Sequence, residues 1–80
     1  MKIHYTFHAI ERMRQRDINR EEIETCLNNP DKTIEDKEFK CINKCIKRLN
    51  DKALVVVYRM ETDTIIVITA YRTSKLYKYL

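Results

Sequence analysis

Hydrophobic and polar positions follow one rhythm in the first third of the chain and another after it. In Phe7–Arg16 they fit a helix turning about 100° per residue. Phe7, Ala9, Ile10 and Met13 fall on one continuous apolar arc, while His8, Arg12 and Arg16 stand four residues apart on the opposite side. Arg14 lands within the apolar arc, where its stem can lie over the core and its head reach water. Thr6 is a suitable N-cap. Asp17-Ile18-Asn19 reads as a turn in which Asp17 tolerates left-handed backbone. Asn19 then caps a second helix, and Glu22 three residues on makes an approximate capping box. Ile23, Cys26 and Leu27 form the apolar stripe of that helix, and Glu21, Glu22 and Glu24 suit the positive end of its dipole. Asn28-Asn29-Pro30-Asp31 ends it, because the residue before proline is pushed out of helical space. Ahead of the first helix, Lys2–Tyr5 reads either as a strand or as a lead-in.

From Lys32 the period is two. Thr33–Lys37 fits a polar edge strand. Cys41–Leu49 alternates, with Ile42 and Ile46 on one side and Cys41, Cys45 and Leu49 on the other, and the pattern leaves open which side is buried. Asn50-Asp51-Lys52 is a hairpin turn. Ala53–Met60 and Thr64–Tyr71 read as central strands buried on much of both faces, joined by Glu61-Thr62-Asp63. The tail Arg72–Leu80 gives no clear local signal. Helices followed by strands with short turns predict an α+β fold, with an N-terminal helical hairpin packed on one face of a three- to four-stranded antiparallel sheet. At 80 residues the chain predicts a single domain, residues 1–80.

Composition narrows the function classes. An apolar content of 44% supports a small core and argues against wholesale disorder. No window approaches the ~18 apolar residues of a membrane span, and no secretory signal opens the chain. The expectation is a cytoplasmic protein with no membrane partner. The absence of glycine rules out a phosphate-binding glycine loop. Cys26, Cys41 and Cys45 are odd in number and do not make a disulfide framework. The spacing Cys41-x3-Cys45 is not that of a zinc knuckle, so neither metal nor cofactor is expected. The net charge is +4, and seven acids lie within Glu21–Glu38 while the basic residues concentrate elsewhere. Such a split suits a polyanion on one side and a basic partner on the other.

The row of His8, Arg12 and Arg16 carries the candidate chemistry. An imidazole can accept a proton near neutral pH, and two guanidiniums further along the helix can grip phosphate oxygens. Together they suit RNA cleavage without a metal: the base takes the 2′-hydroxyl proton, the hydroxyl attacks its own phosphate, and the arginines hold the growing charge. A proton donor for the leaving oxygen is not singled out among Tyr71, Tyr77 and Lys47. Tyr58, Tyr71, Tyr77 and Tyr79 are interleaved with Arg59, Arg72, Lys75 and Lys78, a mixture on which single-stranded RNA stacks and is neutralised. Lys47, Arg48, Arg72 and Lys75 complete the expected RNA-binding set. The bland alternative is a solvated surface on which the arginines pair with Glu11 and other acids.

A run of residues also resembles a known family. His8-Ala9-x-x-Arg12-Met13-x-x-Arg16, Ile18, Glu21-Glu22-Ile23, Asn29-Pro30-Asp31 and Ile34-Glu35-Asp36 are similar to a widespread small bacterial and archaeal domain of unknown function. So are Leu54–Tyr58 and Ile66–Tyr71. That family is similar in layout to the BrnT and RelE-like toxins. The resemblance implies two helices on a curved antiparallel sheet, metal-free ribonuclease activity, and neutralisation by an acidic antitoxin. The chain departs from the pattern at Asp17, where many relatives have glycine, and in its tail. The alternatives are a non-catalytic RNA- or protein-binding module of the same fold, or a homodimer formed through an exposed sheet edge.

Overall fold

Thr6 marks the place where the chain turns from strand to helix. Its Oγ1 accepts the Ala9 N–H at 3.0 Å, and its hydroxyl donates to the Ile68 carbonyl at 3.3 Å. One side chain thus caps a helix and ties it to a strand far along the chain. In the computed structural model, residues 2–39 and 41–80 are described. The elements are β1 (Lys2–Tyr5), α1 (Phe7–Gln15), α2 (Arg20–Asn28), β2 (Lys32–Glu35), β3 (Ile42–Leu49), β4 (Lys52–Glu61), β5 (Thr64–Thr73) and α3 (Leu76–Tyr79).

The fold is α+β, but its sheet differs from the expected one. It has five strands in the order β1-β5-β4-β3-β2, and it is mixed, because β1 runs parallel to β5 with Lys2 opposite Thr64 and Tyr5 opposite Val67. The other neighbours are antiparallel. Nor do the two helices spend their apolar sides on one another as a hairpin. α1 lies along β5, and α2 lies over β3 and β4. Between Val57 and Tyr58 the β4–β5 register slips, leaving Ile68 as an extra residue on β5. Such a bulge bends the strand, at the point where Thr6 takes hold of it.

The sheet buries residues on both faces. Ala9, Met13, Ile18, Ile23 and Cys26 from the helical side pack on Cys45, Leu54, Val56, Ile65, Val67 and Ala70. On the far face Ile46, Ala53 and Val55 meet Ile34, Val57 and Tyr71, with Leu76 and Tyr79 of α3 laid over them. Both sides of β3 are therefore core at its centre, Cys45 towards the helices and Ile46 away from them, while Cys41 is exposed.

The apolar arc of α1 is narrower than its sequence predicts. Ala9 and Met13 are buried, but Phe7 is 93% and Ile10 45% exposed. A helix set along one strand near the sheet's margin presents only a thin stripe to the core. On α2 the capping box is complete, with Asn19 Oδ1 accepting from Glu22 N at 2.9 Å and Glu22 Oε1 accepting from Asn19 N at 3.2 Å. A cap of this kind is worth about 1 kcal/mol, whereas truncating a fully buried isoleucine such as Ile23 costs about 2–5 kcal/mol. Packing holds α2 down, and the cap sets where it begins.

Candidate nucleic-acid interface

His8, Arg12 and Arg16 lie along one flank of α1. His8 and Arg16 are exposed and Arg12 is half-buried. Arg12 Nε donates to His8 Nε2 over 3.5 Å, and Arg12 Nη1 donates to Gln15 Oε1 at 3.0 Å. The first contact sets the Nε2 edge of the imidazole towards Arg12. At 3.5 Å it is a long bond. Gln15 was not anticipated, although its i+3 spacing from Arg12 is the kind that meets on a helix.

Arg16 is held differently. Its Nη1 donates to the Ala70 carbonyl of β5 at 2.8 Å. This carbonyl lies beyond the stretch of β5 that pairs with β1, so an arginine satisfies backbone that a strand would otherwise cover. Tyr71 follows immediately but faces the other side of the sheet. Its hydroxyl shares a 2.8 Å hydrogen bond with that of Tyr79, and the two rings meet edge to face with centroids 6.4 Å apart. Burial first, and then the bond to Tyr79, push the Tyr71 phenol up, while the charge of Arg16 pulls the other way. Arg16, the last member of the row, is thus near enough for its charge to act on the Tyr71 phenol.

The four basic residues expected to bind RNA do not form one surface. Arg72 is a clamp: its guanidinium donates to the Arg16 carbonyl at 2.8 Å, the Asp17 carbonyl at 3.0 Å and Glu22 Oε2 at 2.7 Å. Lys47, on the helical side opposite Leu54, lies 3.8 Å from Asp31. It also borders a cavity of about 310 Å³ with Asn19, Glu22, Thr25, Leu49 and Leu54. Arg48 pairs across from Ala53 and so shares the far face, with Nε on the Asn50 carbonyl at 3.1 Å. Lys75 precedes α3, which lies on that same face.

The far face is more basic than this set suggests. Lys32 lies opposite Ile46, Lys44 opposite Ile34 and Val57, and Arg59 opposite Ile42 and Ile66, so register places all three with Arg48 on that face. Glu61 is there too, 3.4 Å from Arg59. Lys44, Ile46 and Arg48 alternate along β3, and that parity was the available signal. Among the described residues no cluster of three or more His, Cys, Asp or Glu is placed to hold a metal ion. No described helix is long and apolar enough to cross a membrane.

A family model described as "Domain of unknown function (DUF4258)" matches residues 5–72. The chain belongs to this family. The DUF4258 match runs from the last residue of β1 to the Arg72 clamp, taking in the whole α1 row and leaving α3 outside. Searches of curated proteins and of solved structures found no match.

Proposed function

We propose that the protein is a metal-independent endoribonuclease of the toxin type, related to the BrnT and RelE-like toxins and acting in the cytoplasm. The observation that carries this reading is the exposed His8–Arg12 contact, with Arg16 two turns on from His8 at the open margin of β5. His8 Nε2 takes the proton of the 2′-hydroxyl. Arg12 and the unused nitrogens of Arg16 hold the phosphate oxygens as charge builds on them. The RNA strand crosses the β5 margin onto the far face, where Arg48, Lys75 and Tyr77 receive its backbone and bases. An acidic antitoxin silences the protein by covering that basic face.

Purified protein is expected to cut single-stranded RNA in the presence of a chelator and leave 2′,3′-cyclic phosphate ends. His8→Ala and Arg12→Ala are each expected to slow cutting at least about tenfold. Equal cutting by parent and folded variants overturns these roles. One observation favours a binding module instead: Arg16 and Arg72 both hold backbone carbonyls. In that case RNA stays intact and its binding weakens steeply with salt.

A further inference from the structure

We propose that Cys26 and Cys45 form a redox couple, a buried dithiol that hydrogen peroxide converts to an internal disulfide joining α2 to β3. The inference is independent of any action on RNA. Two sulfurs from different elements lie 3.1 Å apart, against about 2.05 Å for a bonded pair. Both cysteines are shut in, at 0% and 1% exposure, among Ile23, Leu54 and Val56. No bulky disulfide reagent fits there without lifting α2, but a peroxide molecule is little larger than water. Each sulfur is the other's nearest reactive group.

The thiols are unlike. Cys26 Sγ faces Cys45 Sγ, the Cys45 carbonyl at 3.4 Å and the Leu54 carbonyl at 4.0 Å, so its proton has acceptors. That hydrogen bond, followed by burial, pushes the Cys26 thiol up, and the same bond draws Cys45 down against the effect of burial. Cys45 is thus the attacking sulfur. Its thiolate displaces hydroxide from hydrogen peroxide, breaking the O–O bond to give a sulfenic acid, and the hydroxide takes up a proton as water. Cys26 sulfur then attacks the sulfenic sulfur. The S–S bond forms, a second hydroxide leaves, and it takes the Cys26 proton. Two thiols and one peroxide give one disulfide and two waters.

The bridge spans 19 residues, so it restricts the unfolded chain as well as fastening α2. The exposed Cys41 is the competing thiol, and the test removes it. Folded Cys41→Ser protein treated with excess peroxide is expected to lose two hydrogens by intact mass. A non-reducing digest should join the Cys26 and Cys45 peptides, and the melting temperature should rise by several degrees and fall back with dithiothreitol. The parent chain is expected to give the same internal bridge beside Cys41 products. Both thiols still open to alkylation after unfolding, or sulfinic acid without a cross-link, overturns the proposal.

Discussion

The Tyr5 hydroxyl is buried without a hydrogen-bond partner among the described residues. Its ring lies under the Arg20 guanidinium, 5.0 Å from charge to centroid, so the aromatic body is well used while the polar tip is not. Removing an orphaned buried hydroxyl relieves a desolvation cost. Tyr5→Phe is therefore expected to stabilise the protein by about 1 kcal/mol, read as a higher urea midpoint at unchanged slope. A lower midpoint contradicts this account of Tyr5. At this scale the sequence was informative where a side chain answers its own backbone. Thr6 caps α1, Asn19 and Glu22 form the box, and Asp17 takes a left-handed φ of 54°. It was silent where a side chain answers distant backbone, as Arg16 does at Ala70 and Arg72 at Arg16 and Asp17.

At the scale of elements, the periods located α1, α2 and β2 to β5, and in a two-beat pattern local sequence is enough. The parallel partner of β1 was not legible, because nothing within Lys2–Tyr5 indicates a strand more than sixty residues away. Phe7 and Ile10 misled for a related reason: their arc is apolar, but α1's place beside β5 decides how much of it is covered. The join between α1 and α2 rests on Arg72, which fastens the turn to β5 by two donations and α2 by a third. Arg72→Ala is expected to cost about 1–2 kcal/mol, a range kept low because the side chain is 31% exposed and water screens its pairing with Glu22. Arg72→Lys should restore less than half of this, since one ammonium cannot reproduce a planar fork on two carbonyls and a carboxylate. Thermal melts of the two variants decide it, and equal melting by lysine and arginine would show that charge alone matters.

Across the whole molecule, acids gather on and after α2 while the far face of the sheet is basic, and three half-buried tyrosines share one response to pH. Burial leads in pushing up Tyr5, Tyr58 and Tyr71. A raised phenol contributes stability that is complete below its unfolded value of about 10 and is lost as pH climbs above it, because the unfolded chain gives up protons that the native one keeps. Melting temperature is expected to hold up to about pH 9 and then fall more steeply than in Tyr58→Phe, which removes one of the three. Identical slopes for parent and variant would exclude Tyr58 from the effect.

The seat of β1 beside β5 also bears on timing. Lys2–Tyr5 take their place in the sheet only once Thr64–Val67 have followed them, and α1 is anchored by the same later strand through Thr6 and Arg16. Contacts so distant in sequence form slowly. Until β5 has been made, the flank that carries His8, Arg12 and Arg16 has nothing to be set against, so its arrangement is among the last features of the molecule to be fixed.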